Sequence, residues 1–529
     1  MKKMKRMSRL LALALCASLA LSSCGGGGGN TEDPAGESNA PAGETSAQGG
    51  GTTVDLSTKD ELIVAISTEP GSLDPHNVNM VTAFTIGKQI FDRLFVTDEE
   101  YNISPSLATD YEWVDDTTLH VTIRDDVTFT NGEPLTADDV VYTIQRACSM
   151  AQSATTFEPF DPDNTVALSD YEVEIKLKNP YPNALLVLAT GRAGIVCQSA
   201  IEEMGEDAYG RAPVGSGKFK VVNWTSGDRI ELTRNDDYWG DKPAYKDLTF
   251  RILTDGSARG IELETGGVDI ALEVSNNDLE RLESNPDIQI IEGPGSTMNH
   301  IVINHVNFDT LANDDVRRAM HMALDKEALV QLAFQGHATV ADSLVPSVTT
   351  GYHACSGIEY DPEGAKALVE ASGFDTSTPI VMNIYQNERI QAMAEAIANM
   401  WTAIGLNVQI EQIDRATLTT NNSTGQTPMC ITTVTASDGN IESVFRMWET
   451  PSYAFTDDQD LIDRLKAAKS ITDEDERMQT YADLQQECWD LNTVIPICHE
   501  NKIYGIRSYV QGFEFQPDNS PDFSKVTFG

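Results

Sequence analysis

The sequence predicts an α/β protein with mixed β-sheets, divided into two or three domains. Strand-like and helix-like segments alternate along most of the chain of 529 residues, and this order is typical of α/β folds. About 470 residues follow a low-complexity N-terminal region, which is more than one hydrophobic core usually contains. With 40% hydrophobic residues in the chain, this larger part is expected to form globular domains.

The individual strands and helices are predicted from hydrophobic periodicity and from capping residues. A helix is expected to start after Thr136, because Asp139 three residues later completes a variant of the capping box. Gly405 is expected to end a helix that begins near Ile390. In chain order, strands are expected at 61–66, 118–123 and 173–177, further strands over 219–252, a helix after 314, a helix at 390–404, a strand at 406–413, helices at 461–468 and 475–491, and a strand at 494–498.

The first 24 residues have the pattern of an export signal. Five cations precede a short apolar run at 10–21, and these twelve residues are fewer than the ~20 that a membrane-spanning helix needs. The tail Leu-Ser-Ser-Cys resembles the lipobox of bacterial lipoproteins. That resemblance implies that residues 1–23 are a signal peptide and that Cys24 becomes the lipidated N-terminus. A plain secretory signal with an incidental Cys is the alternative.

Residues 24–57 are expected to form a disordered tether. A glycine run occupies 25–29, and the residues up to 53 are almost wholly Gly, Ala, Ser, Thr, Pro, Glu and Asn. Such a segment buries too little apolar surface to offset the entropy lost on ordering. At ~5–6 Å × √n, about thirty residues hold the folded part roughly 30 Å from the membrane on average.

The net charge excludes nucleic acid as a partner. The formal charge is −44, and it becomes −49 without the five cations of residues 1–23. Nucleic-acid binding needs a basic surface for phosphate contacts. An acidic shell steers cationic ligands towards a protein, although solubility outside the cell explains the same charge.

The cysteines indicate neither a zinc site nor a redox pair. Six remain if Cys16 is removed with the signal and Cys24 is lipidated, namely Cys148, Cys197, Cys355, Cys430, Cys488 and Cys498. Their spacings are irregular and no C-x-x-C occurs. Mostly buried free thiols are expected, because a chain of this length does not need disulfides for stability.

No motif in the chain indicates an enzyme, a cofactor or a metal. The sequence GSGK at 215–218 resembles a phosphate-binding loop, but Ala212 replaces the first glycine and Phe219 replaces the Ser or Thr that binds magnesium. His300 and His305 are five residues apart in strand-like sequence, so their side chains are expected on opposite faces. We therefore expect neither a cofactor nor a bound metal, and these motifs do not call for an enzyme.

Short stretches along most of the chain resemble the extracellular solute-binding proteins of family 5, which include the oligopeptide, dipeptide and nickel binders of ABC importers. The matching stretches are STEPGSLDPH at 67–76, IFDRLF at 90–95, PSLA at 105–108, IRDDVTF at 123–129, LTADDVV at 135–141, RNDDYWG at 234–240, GGVDI at 266–270 and DVRRA at 315–319. One departure is VGSGKF at 214–219, where the family usually has GTGPY. Because that motif forms a turn, the departure leaves the fold assignment unchanged.

The resemblance implies a two-lobed fold like that of type II, cluster C periplasmic binding proteins, with mixed sheets, a hinge and an extra subdomain on lobe I. Lobe I is expected at 58–95, 207–296 and 493–529, the extra subdomain at 96–206 and lobe II at 297–492. Two strands near 300–303 and 494–497 would form the hinge.

The function that the resemblance implies is ligand capture for an importer. It implies a monomeric lipoprotein on the extracytoplasmic face of the membrane that captures di- to oligopeptides and delivers them to an ABC permease and its ATPase. The alternatives are the same fold binding a nickel chelate or another small cationic solute, and a peptide receptor without a transport role.

The candidate binding residues also follow from the resemblance. Asp438 lies where peptide-binding relatives place the carboxylate that binds the peptide ammonium, and Asn440 follows in the same turn. From lobe I, the segment that lines the cleft in relatives corresponds to Asn79, Met80, Val81 and Thr82. Arg389 and Arg415 are candidates for the peptide carboxylate, since a guanidinium matches its two oxygens.

Overall fold

The computed structural model describes residues 56–98, 101–436, 438–449, 456–516 and 520–529. The predicted signal peptide, the lipidation site Cys24 and nearly all of the predicted tether lie outside the described residues. Within them, no helix is both long and apolar enough to cross a membrane.

The N-terminal half of the chain alternates strands and helices as the sequence predicts. Its elements are β1 (Glu61–Ile66), α1 (Val81–Ile90), β2 (Phe95–Thr97), β3 (Ile103–Pro105), β4 (Ala108–Asp115), β5 (Thr118–Ile123), α2 (Ala137–Ser149), β6 (Val166–Ser169), β7 (Glu172–Lys176), α3 (Ala184–Ala189), α4 (Gln198–Met204), α5 (Glu206–Arg211), β8 (Phe219–Thr225), β9 (Arg229–Arg234), β10 (Asp247–Ile252), α6 (Gly256–Thr265), β11 (Ile270–Leu272) and α7 (Leu279–Glu283).

The remaining elements begin with a long strand. They are β12 (Ile288–Ile303), α8 (Asp314–Met322), α9 (Lys326–Phe334), β13 (Ala338–Val340), α10 (Pro362–Ala371), β14 (Pro379–Ile384), α11 (Glu388–Ala403), β15 (Asn407–Gln412), α12 (Arg415–Ser423), β16 (Met429–Thr435), α13 (Glu442–Glu449), α14 (Gln459–Ala468), α15 (Glu474–Asp490), β17 (Val494–Arg507), β18 (Val510–Gln511) and β19 (Thr527–Phe528). Short 3-10 turns lie at Gly191–Ala193, Asn276–Asp278 and Asp309–Leu311.

Local sequence signals account for several of these boundaries. β1 and β5 have the predicted bounds. The Asp139 carboxylate accepts a hydrogen bond of 3.0 Å from the backbone N–H of Thr136, which confirms the capping box at the start of α2. Gly405 has a φ of +97° just beyond α11, a left-handed conformation that glycine adopts readily at a helix end.

Mixed pairing in the main sheet confirms the predicted α/β class. The strand order is β15-β14-β16-β12-β17-β11-β1-β10-β9-β8, with β13 also paired to β17. β1 is parallel to β10 and β11, and β14 is parallel to β15 and β16, whereas β12 and β17 are antiparallel to their neighbours. A separate antiparallel sheet, β4-β5-β7-β6, lies within the segment predicted as the extra subdomain.

The long strands β12 and β17 connect the two halves of the main sheet. They pair from Ile288 opposite Arg507 to Val302 opposite Val494, and the register shifts between Pro294 and Met298 and again after Asn299. Both strands are longer than the short apolar segments that predicted them. The polar residues that lie outside those apolar segments are held in an extended conformation by cross-strand pairing, which overrides their weak strand propensity.

The hydrophobic core is divided in a way that follows these halves. One cluster of buried side chains joins β1, α1 and α2 with β10 and the C-terminal residues up to Val526. Two others lie between Met298 and Cys498, one around Trp401 and one around Trp448. All six described cysteines are free thiols, and four of them are buried.

Candidate ligand-binding site

Three cavities in the described part of the chain are linked by shared lining residues, and together they are called the row of cavities. The first, of about 50 Å³, is lined by Val81 of α1 and by Asp438. The second, of about 40 Å³, is lined by Val81 and by Glu273. The third is much larger, about 830 Å³, and is lined by Glu273 and by Arg389. The row therefore brings together residues that the sequence analysis named from distant parts of the chain.

Asp438 lies in the turn between β16 and α13 and faces the first cavity. Its side chain is half-buried, and its Oδ1 accepts a hydrogen bond of 3.2 Å from the backbone N–H of Asn440. Burial raises the pKa of Asp438, although the positive charge of Arg446 opposes this effect. No cation of the described chain forms an ion pair with this carboxylate, which is therefore available to a cationic group.

Arg192 also lines the first cavity, and the sequence analysis did not identify it. Its side chain is only 9% exposed. It donates to the backbone oxygens of Val78 at 3.0 Å and Gln152 at 2.7 Å, and to the side-chain oxygen of Asn79. These three acceptors are neutral, and no described carboxylate forms an ion pair with Arg192. Burial lowers the pKa of this guanidinium to about 10, and Asp438 opposes that shift.

The segment before and within α1 lies along the row of cavities. Val81 lines the first and second cavities, and Thr82 lines the second. Asn79 holds Arg192, as described above, and Met80 is the N-cap residue of α1 without a side-chain capping bond. The structure thus places Val81 and Thr82 at the cavities, whereas Asn79 and Met80 line none of the three.

Tyr101 covers the turn that contains Asp438. A Cβ atom added to Gly439 would lie 2.2 Å from the Tyr101 ring, and Gly439 has a φ of +68°. Only glycine fits both the backbone conformation and this close approach. Because Tyr101 also lines the first cavity, its ring closes one side of that cavity.

A buried carboxylate lies next to this turn. Glu442 is 2% exposed and accepts hydrogen bonds from the Tyr181 hydroxyl at 2.8 Å, the Asn183 amide at 2.6 Å and the Tyr481 hydroxyl. Burial raises the pKa of Glu442, and these three donors oppose the rise. Asn440 is buried and does not line the cavities; its side-chain oxygen accepts from the Glu442 N–H at 3.1 Å.

The third cavity has a polar lining of both charges. Arg389, at the start of α11, stacks on Phe334 with 4.6 Å from its guanidinium carbon to the ring centroid. Its guanidinium lies 3.6 Å from Glu500, which in turn lies 3.9 Å from Lys502. Arg389 is 43% exposed at the side chain, so it is accessible to an anionic group in the cavity.

Arg415 lies elsewhere. It begins α12 and stacks on Tyr385 with its guanidinium carbon 5.1 Å from the ring centroid. It does not line any of the three cavities described here. The structure therefore does not bring Arg389 and Arg415 together.

One sequence signal could have identified Arg192. It is the one charged residue in the run ALLVLATGRAGIVC at 184–197, and a lone cation in an apolar run needs partners once it is buried. Glu442 has no comparable signal, because an acidic residue at the start of a helix is common.

Several known proteins are similar to this chain in sequence or in structure. The glutathione-binding protein GsiB of Salmonella typhi is 24% identical over 485 residues, which are 88% of this chain and 94% of the relative. Among solved structures, the ABC transporter substrate-binding protein CtaP of Listeria monocytogenes matches with a TM-score of 0.80 and 24% identity, over 89% of this chain and 100% of that one. The oligopeptide-binding protein AppA of Bacillus subtilis, in complex with a nonapeptide, matches with a TM-score of 0.75 and 21% identity, over 89% of this chain and 99% of that one.

These likenesses confirm the predicted fold class, because high TM-scores over nearly the whole folded chain require the same arrangement of strands and helices. The model of the bacterial extracellular solute-binding proteins, family 5, matches residues 102–455. This match covers more than half of the chain, and the protein therefore belongs to that family.

Proposed function

We propose that this protein is the lipid-anchored peptide receptor of an ABC importer. The observation that carries the proposal is Asp438, a half-buried carboxylate that lines the first cavity and forms no ion pair with a described cation, although the charge of Arg446 acts on it. A charge buried without a partner is costly. The α-ammonium of a peptide could form the ion pair with Asp438 that no described cation forms, whereas a neutral solute could not.

The size and polarity of the row support a ligand longer than a single amino acid. From the small cavity at Asp438 the ligand continues past Val81 and Glu273 into the third cavity of about 830 Å³, within the range of roughly 300–1,000 Å³ typical of ligand pockets. Arg389 is positioned in the third cavity to receive a terminal carboxylate. An extended peptide bound in this way keeps its two charged ends at groups of opposite sign.

Closure of the two lobes would allow the permease to distinguish the ligand-bound protein from the ligand-free protein. In the proposed cycle, lobe II (297–492) closes on lobe I (58–95, 207–296 and 493–529) and on the extra subdomain (96–206), with the hinge at β12 and β17. The hydrogen bonds of Tyr181 and Asn183 to Glu442 would hold the closed form, because they join the proposed extra subdomain to the proposed lobe II. Hinge closure around a ligand creates a shape that a permease can recognise.

The named ligands of similar proteins support the peptide class. The Salmonella typhi relative is named for binding glutathione, and the Bacillus subtilis structure contains a nonapeptide. These ligands belong to those proteins; they favour a peptide here because Asp438 and Arg389 offer complementary charges to the two ends of one.

Ligand identification tests the proposal. Native mass spectrometry of the mature protein as purified should reveal co-purifying peptides, and thermal unfolding should shift upward with members of a di- to hexapeptide set. Asp438→Asn keeps the shape of the side chain and removes its charge, so it should abolish the shift. An empty protein that no peptide stabilises would overturn the peptide assignment and direct the search to nickel chelates and small cations.

The lipid anchor is tested separately. Metabolic labelling with palmitate should label the wild-type protein and not a Cys24→Ser variant, and the variant should leave the membrane fraction. Equal labelling of both proteins, or membrane retention of the unlabelled variant, would contradict lipidation at Cys24. Neither result depends on which ligand the protein binds.

A further inference from the structure

Glu273 has an unusual backbone conformation where the second and third cavities meet. It lines both of them, and its φ is +59°, a left-handed conformation that a residue with a side chain adopts at a cost in free energy. Three other described residues that are not glycine have a positive φ, namely Tyr101, Gln335 and Asn492. Gln335 and Asn492 lie at the ends of α9 and α15, and Tyr101 lies between the paired strands β2 and β3. Glu273 directly follows β11 and lies at neither a helix end nor a hairpin.

The side chain of Arg259 holds Glu273 in this conformation. Its Nε donates to the backbone oxygen of Glu273 at 3.1 Å, and one of its terminal nitrogens donates to the same oxygen. The other terminal nitrogen donates to the backbone oxygens of Leu253 at 2.6 Å and Thr254 at 3.2 Å. Arg259 is only 5% exposed, so a buried guanidinium fixes the backbone of residue 273. Strained residues persist where surrounding contacts hold them, and they cluster at ligand sites.

The carboxylate of Glu273 is directed away from this buried arginine network. The residue is exposed, and its carboxylate forms neither a hydrogen bond nor an ion pair within the described chain. The charge of Arg259 does act on it, because burial lowers the pKa of Arg259 and the negative charge of Glu273 opposes that shift. The hydrogen bonds of Arg259 nevertheless all go to backbone oxygens. Both carboxylate oxygens are therefore accessible to a ligand.

The surroundings of Glu273 suit a positively charged group of the ligand. Glu273 is the one charged residue among the described residues that line the second cavity, whose other side chains are apolar or carry a hydroxyl group. In the third cavity, Arg389 and Lys502 both face Glu500, at 3.6 Å and 3.9 Å. A cationic group in the second cavity would therefore meet the carboxylate of Glu273 and no lysine or arginine of the cavity lining.

We propose that Glu273 selects ligands with a basic side chain, which pairs with its carboxylate where the extended peptide passes from the second cavity to the third. Asp438 binds the α-ammonium, so the preferred peptides carry a second positive charge at an internal residue. Glycine would adopt the conformation of residue 273 at a lower cost. The glutamate lowers stability and provides a carboxylate that faces the ligand. This inference deepens the proposed function and rests on it.

Other roles of this carboxylate predict different ligand preferences. A carboxylate that accepts a hydrogen bond from a peptide N–H would strengthen the binding of basic and neutral peptides equally. A carboxylate that remains solvated would strengthen the binding of neither. An ion pair strengthens only the binding of the basic peptide, and by a modest factor, because Glu273 is exposed and water screens the pair.

Peptides that differ in one charge test the proposal. Titration calorimetry of the mature protein would compare alanine pentapeptides that carry either arginine or citrulline at position 2, 3 or 4, since citrulline has nearly the shape of arginine but no charge. At one of these positions we expect arginine to be favoured threefold to tenfold, and this preference should fall as the salt concentration rises. Equal affinities for arginine and citrulline at all three positions would overturn the inference and leave peptide binding intact. If neither penta-alanine nor any of these peptides binds, the proposed function fails as well.

A neutral variant assigns the preference to Glu273. Glu273→Gln removes the charge and keeps the size of the side chain, so it should abolish the preference for arginine and leave the affinity for the citrulline peptide unchanged. Glu280→Gln is the matched control, because Glu280 is an exposed acidic residue of α7 that lines none of the three cavities. An arginine preference that persists in Glu273→Gln, or equal weakening of both peptides, would overturn the assignment.

A glycine variant tests the conformational part of the argument. Glu273→Gly removes the Cβ atom that makes the left-handed conformation unfavourable. It should therefore raise the midpoint of thermal unfolding by roughly 1–2 °C and also abolish the arginine preference. A merely structural residue would not combine higher stability with lost selectivity. A lower midpoint would overturn the argument from strain, and a retained arginine preference would overturn the role of the carboxylate.

Discussion

Tyr181 donates its phenolic hydrogen to a carboxylate oxygen of Glu442 across 2.8 Å, although the two residues are 261 positions apart in the chain. Tyr181 belongs to the core cluster of the N-terminal half, whereas the neighbours of Glu442, including Tyr481, belong to the cluster around Trp448. The bond therefore connects two separately packed parts of the molecule. It also lies beside the turn of Asp438, which lines the first cavity.

Removal of this bond should favour the open form of the protein. Tyr181→Phe deletes one hydroxyl and leaves the ring, and the loss of a hydrogen bond to a charged group costs about 1.5–3 kcal/mol. We expect a larger radius of gyration for the ligand-free protein in small-angle X-ray scattering, and a ligand affinity that is at least fivefold weaker. Tyr481→Phe removes a bond to the same carboxylate within one core cluster, so it should lower thermal stability without changing either quantity. Equal effects of the two variants on affinity would contradict a role in closure.

A methyl group at Gly439 should block the approach of Tyr101. The added Cβ of Gly439→Ala would lie 2.2 Å from the Tyr101 ring, so we expect ligand affinity to fall more than tenfold. Gly357→Ala is the matched control, because Gly357 also has a positive φ, +86°, but open space around its Cβ position. Both variants should lose about 1 kcal/mol of stability from the backbone conformation.

The double variant Gly439→Ala with Tyr101→Ala should recover part of the lost affinity, because the clash is removed. Fluorescence titration with a peptide that binds the wild type measures the ligand affinity of the wild type, of the two single glycine variants and of the double variant. If Gly357→Ala weakens binding as much as Gly439→Ala, the effect comes from backbone strain and not from contact with Tyr101.

Arg389 should distinguish peptides by their C-terminal charge. Arg389→Gln removes the cation from the third cavity, and we expect about threefold to tenfold weaker binding of peptides with a free carboxylate, a modest effect because the side chain is partly exposed and also faces Glu500. The corresponding peptide amides should bind the wild type and the variant equally. Arg415→Gln, which alters a residue away from the three cavities, should change neither affinity. An unchanged affinity for free-carboxylate peptides in Arg389→Gln would exclude this residue as the carboxylate anchor.

Lys326 should make the stability of the protein rise with pH above neutrality. Burial lowers its pKa to about 7, although Asp342 opposes the shift. The unfolded chain keeps this proton up to the ordinary lysine value of 10.5, so between about 7 and 10.5 the unfolded state binds more protons and stability increases with pH. We expect a gain on the order of 2 kcal/mol, reduced from the full shift by solvent screening.

Denaturant unfolding at pH 6.5 and pH 9.5 measures this gain. Lys326→Met has no proton to release, so its stability should change less between the two pH values than that of the wild type. Wild type and variant with the same difference between the two pH values would show that Lys326 keeps its ordinary pKa in the folded protein.

The sequence predicted those elements whose signals are local. β1 is a short apolar segment, and the start of α2 is set by Thr136 and Asp139 three residues apart, so both follow from neighbouring residues. The middle of β17, His499 to Lys502, is polar and resembles a loop. It is extended because β12 and β13 pair with it, and such tertiary pairing leaves no trace in the local pattern.

The candidate site was predictable only in part, and its residues were named by family resemblance and not by local sequence signals. Asp438, Val81 and Thr82 were named by family resemblance, and the structure places all three at the cavities. Arg192 and Glu442 were missed because their burial depends on partners far along the chain, such as Asn79 for Arg192 and Tyr181 for Glu442. A charged residue in a sequence is most often exposed, and only the folded arrangement identifies the exceptions.

In the proposed closure, the register shifts between β12 and β17 bear on how quickly a captured ligand is released. Because the ladder is interrupted between Pro294 and Met298 and again after Asn299, both strands can bend at the same level while the hydrogen bonds on either side stay intact. Rotation of one lobe would then occur about a single short axis and need no strand to separate. Substitutions at Met298 or Asn299 would change the dissociation rate through the stiffness of this axis, without any contact with the ligand.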